Sequence, residues 1–204
     1  MKNNILVFGI FIMVILLSGC TRTREPAGNA ENNASVSMES VSSLESRKLI
    51  VYYSLSGNTK FIAEHIQTLT GADIFALELV EPYSQEYQVT LERARQEREA
   101  GIRPQLAGSI DNLADYDVVF VGTPNWFSSL SLPIFSFLET HDLSGKTVVP
   151  FVTFGGGGLQ NTITDLKDLQ PNAVVLEEFG VTGSAAENSR SEISQWLERI
   201  GMIE

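Results

Sequence analysis

The chain has 204 residues, 43% of them apolar and 19% charged, with 25 acidic against 14 basic side chains and a net charge of −11. An excess of acid of this size excludes nucleic-acid binding, which needs clustered Lys and Arg against phosphate. A single cysteine, Cys20, excludes an internal disulfide and, in the folded part, a Cys-based metal site or a catalytic thiol.

Residues 1–20 read as lying outside the fold. Lys2 gives a short positive start, Ile5 to Leu17 form an apolar stretch broken only by Gly9, and Leu17-Ser18-Gly19-Cys20 closes it with small residues. The run is shorter than the roughly 20 residues of a comfortable spanning helix and matches a signal-peptide core. The closing tetrad resembles the bacterial lipoprotein signal. That resemblance implies lipid on Cys20, a mature chain that starts there with net charge −12, and a membrane anchor outside the cytoplasm. An ordinary signal peptide or uncleaved anchor that happens to end in Cys is the alternative. Residues 21–46 are rich in Asn, Ser, Glu, Ala and Gly and contain no aromatic residue, as in a flexible tether. A short helix over 37–44 is the alternative there.

The folded part, residues 47–204, suits one domain. Leu49–Tyr53 is predicted as the first strand, followed by a helix over Lys60–Leu69 whose apolar face carries Phe61, Ile62 and Ile66. Asp73–Val80 alternates like a half-exposed edge strand, and Tyr83–Ala100 reads as a charged helix stopped by Gly101 and Pro104. Asp117–Val121 suits a central parallel strand, with a helix over Pro133–Glu139 after it, Pro133 in its first turn. A strand at Val148–Thr153, a helix at Gln160–Leu169, a fifth strand at Val174–Phe179 and a last helix at Asn188–Ile200 complete the pattern. In that last helix Trp196 falls on the apolar face and reads as core. Alternation of this kind predicts an α/β, three-layer, doubly wound sandwich. The strand order 2-1-3-4-5 follows if the edge-like second strand sits outside the first, and ligands then bind beyond the carboxyl ends of strands 1, 3 and 4.

Three segments stand at those ends. Ser54-Leu55-Ser56-Gly57-Asn58-Thr59 joins the first strand to the first helix, where backbone N–H groups, hydroxyls and a positive helix end converge on an anion. A plain capping turn, with Ser56 or Asn58 as N-cap, is the alternative. Gly122-Thr123-Pro124-Asn125-Trp126-Phe127 follows the third strand and puts two large aromatics in a loop. Thr153-Phe154-Gly155-Gly156-Gly157-Gly158 follows the fourth, and four glycines in a row disfavour order unless close approach or positive φ is required.

Ser54, Ser56, Gly57 and Thr59 match the phosphate-loop pattern Ser/Thr-x-Thr/Ser-Gly-x-Thr, so the chain resembles the flavodoxin-like family over 47–204. The resemblance implies flavin mononucleotide (FMN) as cofactor. Ser54, Ser56, Gly57, Asn58 and Thr59 would grip its phosphate. Trp126 would stack on the isoalloxazine, the backbone near Asn125 would meet its polar edge, and Gly155, Gly156 and Gly157 would let backbone N–H groups pass close to its carbonyl edge, with Thr123, Pro124, Phe127, Thr153 and Phe154 in the same cofactor-binding loops. Tyr83 leaning over the flavin is an open alternative to its membership of a solvated helix. No residue is assigned as catalytic. His65 and His141 have no metal-type companion, and Ser54 and Ser56 have no His–Asp pair that would make a hydrolase.

The expected activity is electron transfer to a redox partner protein or a small-molecule acceptor, with the flavin carrying the chemistry. Each acidic charge about 10 Å away, at an effective dielectric near 40, would disfavour the reduced anion by roughly 0.8 kcal/mol. The alternative is an FMN-dependent NAD(P)H:quinone-type oxidoreductase on the same fold. A lipoprotein that has lost the cofactor is the third reading.

Overall fold

The computed structural model describes residues 46–204; the expectations for residues 1–20, for lipid on Cys20 and for a tether over 21–46 fall, but for residue 46, outside the described residues. The chain order is β1 (Lys48–Tyr52), α1 (Asn58–Thr70), β2 (Asp73–Ala76), α2 (Tyr87–Glu99), β3 (Val118–Pro124), α3 (Leu132–Thr140), β4 (Thr147–Phe154), α4 (Thr162–Leu169), β5 (Val174–Val175), β6 (Phe179–Thr182) and α5 (Arg190–Arg199). All strand pairs are parallel, in the order β2-β1-β3-β4-β5, with β6 also paired to β4. The doubly wound order 2-1-3-4-5 expected from the alternation is the order found.

Alternation along the strands builds two cores. Leu49, Val51, Val119, Val121 and Val148 point to one face and pack with Ile134 and Phe137 of α3 and Leu166 of α4. Ile50, Tyr52, Phe120, Val149 and Phe151 point to the other, against Ile62 and Ile66 of α1 and Ile193, Trp196 and Leu197 of α5. Burial on both faces is why these strands read as continuous apolar runs. Trp196 is buried, its ring 5.4 Å from that of Phe179, and its Nε1–H donates to Glu177 O at 3.0 Å. Gly122 stands in register between Tyr52 and Phe151, and a Cβ there would fall 2.2 Å from the Phe151 ring. Only glycine lets the three central strands close up at that point.

Most boundaries shift by one or two residues; four elements depart further from the sequence reading, each for a local reason. The second strand ends at Ala76, because the chain beyond it changes partner. Val80 N–H donates to Gln105 O and Ala107 N–H to Glu78 O, so the returning segment replaces β1. Helix α2 starts at Tyr87 rather than Tyr83. Ser84 forms a turn first: its Oγ accepts from Glu86 N–H at 3.0 Å and its carbonyl from the Thr90 hydroxyl at 2.6 Å. The third strand runs on through Gly122-Thr123-Pro124. The fifth strand is split: Thr147 pairs with Val174 and Phe151 with Phe179, so β5 and β6 carry one more residue than β4 between these points, a bulge at 176–178.

Candidate functional site

The loops beyond β1, β3, β4 and β6 meet helix α2 around a cavity of about 880 Å³. At the β1 end, Gly57 takes φ +91° as the N-cap of α1, a left-handed conformation that favours glycine. Its carbonyl accepts the first helical bond, from Phe61 N–H at 2.9 Å, and its N–H donates to Ser54 Oγ at 3.2 Å. Among the described residues no side chain caps this helix, and its first turn holds no acidic residue. Neither Ser56 nor Asn58 is the N-cap that the capping-turn alternative required, and the positive end of this 13-residue helix faces a cavity lined by Ser56, Asn58 and Thr59. Asn58 Nδ2–H donates to Ser56 Oγ at 3.2 Å, which orders the loop. The Thr59 and Thr153 hydroxyls, both buried, lie 2.8 Å apart and tie the start of α1 to the end of β4.

The β3 end is a tight turn. Trp126 and Ser129 exchange backbone bonds of 2.9 and 3.1 Å, while Phe127 (φ 53°) and Ser128 (φ 67°) both take left-handed backbone. Asn-Gly is the usual pair in such a turn, and larger residues are strained in it. Its neighbours hold it in place: Asn161 N–H donates to Ser128 O at 3.1 Å, the Ser129 hydroxyl to Asp165, and Asn125 Nδ2–H to Gly158 O at 2.7 Å. The result presents Trp126 and Phe127 to the cavity. Trp126 meets the rings of Tyr53 (5.7 Å) and Tyr83 (5.1 Å) edge to face, so its own orientation is locked.

At the β4 end, Gly155 and Gly156 line the cavity, and a Cβ on either would meet no protein atom within 4 Å. A side chain there would project into open space that a ligand needs. Gly158 takes φ +72°, and Gly157 packs against Gln160.

Eleven of the expected site residues share this cavity wall: Ser56, Asn58, Thr59, Pro124, Asn125, Trp126, Phe127, Thr153, Phe154, Gly155 and Gly156. Ser54, Gly57, Thr123 and Gly157 do not line it. Ser54 and Gly57 shape the loop from behind. Thr123 lies inside β3, buried, with its hydroxyl 3.1 Å from that of Ser131. The Asn125 N–H continues the sheet ladder to Thr153 O at 2.7 Å, so it is not free for a ligand's polar edge.

Tyr83 is placed differently from either sequence alternative. It is 5% exposed, off the cavity wall and behind Trp126. Its hydroxyl donates to Glu97 Oε2 at 2.5 Å, Glu97 Oε1 accepts from Arg93 Nε–H at 2.8 Å, and the Arg93 guanidinium lies 4.4 Å over the Tyr83 ring. Burial, reinforced by the bond to Glu97, pushes the Tyr83 phenol far above its ordinary range; burial raises Tyr53 to about 12. Sequence reasoning missed two parts of the wall. Thr182-Gly183-Ser184 starts at the last residue of β6, and its hydroxyl–glycine composition was a usable signal; a Cβ on Gly183 would fall 2.5 Å from Asn58 Nδ2. Tyr87, Thr90, Leu91 and Ala94 of α2 carried none, because amphipathicity says that a helix packs but not on what.

A helix N-terminus without an acceptor, bordered by hydroxyls and joined to an aromatic and glycine-lined space, suits a ligand with one anionic end and one flat apolar end. A family model described as Flavodoxin matches residues 47–200. A candidate flavoprotein from Bacteroides eggerthii DSM 20697 is 31% identical over 76% of this chain and 98% of its own, with TM-score 0.67. Another, from Bacteroides uniformis ATCC 8492, is 25% identical over 75% of this chain and 98% of its own, also at TM-score 0.67. A flavoprotein from Lactobacillus acidophilus NCFM, crystallised in complex with FMN, shares the fold at 22% identity and TM-score 0.55, over 74% of this chain and 98% of its own. This chain, matched by the family model over nearly all of its described residues, belongs to the flavodoxin family.

Proposed function

We propose that the chain binds FMN non-covalently and serves as an electron-transfer protein, held outside the cytoplasm by lipid on Cys20. The observation that carries the cofactor is the α1 N-terminus: an uncapped helix end, in a loop with Ser56, Asn58 and Thr59 on the cavity wall, is an anion site with no acid of its own. Ser56, Asn58 and Thr59 would hold the phosphate, with Thr182 and Ser184 close by. Trp126, Phe127 and Phe154 would bound the ring, and Gly155 and Gly156 leave room for it. When bound, FMN supplies one- and two-electron redox chemistry. The residues around it bind, orient and shield it.

The acidic surface, net −11 over the whole sequence, favours a basic redox partner and disfavours added negative charge in the site. Titration of the full chain with FMN tests the reading. Saturable uptake at micromolar concentration with a yellow product is expected; protein that stays colourless at that concentration rules FMN out. Metabolic labelling with a fatty acid tests the anchor, with label expected on the native chain and none on Cys20→Ser.

A further inference from the structure

The two tryptophans of the chain keep different aromatic company. Trp196 is buried among phenylalanines, with the Phe179 ring at 5.4 Å and the Phe120 ring at 6.4 Å. Phenylalanine gives up an electron far less readily than tyrosine, so an oxidised Trp196 has no donor in those rings. Trp126 is half-buried on the cavity wall, and the rings that meet it are tyrosines, Tyr83 at 5.1 Å and Tyr53 at 5.7 Å. Electron exchange falls off steeply with distance, so rings in contact exchange fastest. At neutral pH an indole radical is the stronger oxidant of the two, and it can draw an electron from a phenol.

The two phenols differ in what they can do with a proton. Loss of an electron turns a phenol into a strong acid, so the electron leaves readily only where the proton has an acceptor. The Tyr83 hydroxyl donates to Glu97 Oε2 at 2.5 Å, whereas the Tyr53 hydroxyl has no such bond among the described residues. Arg93 sharpens the difference. Its guanidinium lies 4.4 Å over the Tyr83 ring and opposes positive charge there, so electron loss without proton loss is disfavoured. Arg93 Nε–H also donates to Glu97 Oε1 at 2.8 Å, which leaves Oε2 directed at the phenol. Burial, with the bond to Glu97, holds the Tyr83 phenol far above its ordinary range, so the resting residue keeps its proton until the electron goes.

We propose that Tyr83 is a redox-active residue: when an oxidant takes an electron from Trp126, Tyr83 refills the indole and passes its phenol proton to Glu97. Trp126 gives one electron to the oxidant and its indole proton to water. The Tyr83 O–H bond then breaks; its electron restores Trp126, which regains a proton from water, and its proton goes to Glu97 Oε2. The chain is left with a neutral Tyr83 phenoxyl radical, a protonated Glu97 and an intact Trp126. The oxidant is a one-electron inorganic radical or, on the FMN reading, a photoexcited flavin ring in the cavity. The step goes beyond that reading and does not require it.

Pulse radiolysis of the full chain in azide solution, with no flavin added, tests the relay, because the azidyl radical oxidises tryptophan. Every sample carries Tyr87→Phe, since Tyr87 is 69% exposed and the other four tyrosines are each 6% exposed or less. The tryptophyl absorption should decay as the tyrosyl absorption grows, at one first-order rate that does not change with protein concentration. Tyr83→Phe, which keeps the ring and removes the hydroxyl, should leave the tryptophyl radical standing. Trp126→Phe should remove most of the tryptophyl signal, because Trp196 is 1% exposed. Glu97→Gln keeps an acceptor atom but not a base, and should slow the conversion at least about tenfold in protein whose tryptophan emission and far-ultraviolet circular dichroism are unchanged. Tyr53→Phe should leave the rate as it was. No conversion in the Tyr87→Phe chain overturns the relay. Conversion that survives Tyr83→Phe or Trp126→Phe, or that is lost in Tyr53→Phe, overturns the assignment to Tyr83. A rate untouched by Glu97→Gln overturns the part given to Glu97. FMN uptake enters none of these measurements, so a protein that stays colourless with FMN sinks the cofactor reading and leaves the relay standing or falling on its own kinetics.

Discussion

The loops after β1, β3 and β4 meet helix α2 in one cavity, and different forces hold them there. The loops leave strands buried on both faces, so their positions are set by close-packed apolar side chains such as Phe120, Val121 and Phe151, all 0% exposed. Helix α2 reaches the same cavity from a long connection between β2 and β3, with two buried residues and a polar clamp of Tyr83, Glu97 and Arg93. The first arrangement moves only if the domain unfolds. The second can loosen while the sheet stays intact, which makes α2 the low-stability side of the site.

Substitutions can break this contrast. Phe151→Ala empties a central position beside Gly122 and should cost about 3–5 kcal/mol of global stability, read by chemical denaturation. A loss well below that would mean the sheet ends are not held by the core. Glu97→Ala removes the acceptor of the Tyr83 hydroxyl and the ion partner of Arg93, whose side chain is 31% exposed. About 1–3 kcal/mol is expected, less than for a fully buried pair because water reaches Arg93. Amide exchange should quicken in α2 and stay slow in β3 and β4; uniform quickening would merge the two walls into one unit.

A smaller effect sharpens the picture of the Trp126 turn. Ser128→Gly gives the left-handed position a residue that suits it and should stabilise by about 0.5–1 kcal/mol, seen as a raised Tm. A lower Tm would show that the Ser128 side chain contributes more than the strain it brings. The last test concerns pH. Burial raises Tyr53 from its ordinary 10.0 to about 12. Below pH 10 folded and unfolded chains both keep the proton, and the contribution is whole. As pH rises from 10 to 12 the unfolded chain loses the proton first, so stability falls through that window. Tyr53→Phe should flatten this part of the pH profile; an unchanged slope would assign it elsewhere, with the raised phenol of Tyr83 as the nearest source.

The contrast also explains what could be read in advance. Strand order and the two cores were legible because period-2 alternation and apolar runs follow from which face each residue buries. The site loops were legible where a backbone demand leaves a residue signature, as at Gly57 and Gly158, both at positive φ. Thr123 was misplaced because strand and loop look alike in Gly-Thr-Pro, and only the register with β4 extends the strand through it. Tyr83 was misplaced because its partner, Glu97, lies a full helix further along the chain.

The sequence by itself determined the doubly wound sheet and the placing of the Ser54–Thr59 loop, the aromatic segment and the glycine segment at the strand ends around one cavity, since these rest on local periodicity and local backbone needs. The tertiary structure alone decided that Thr182–Ser184 joins Ser56, Asn58 and Thr59 on the cavity wall, that Tyr83 stands behind Trp126, and that α2 closes the cavity with Tyr87, Leu91 and Ala94. Those placements come from contacts between segments distant in the chain, whose energies depend on how the elements pack and leave no pattern in any one segment.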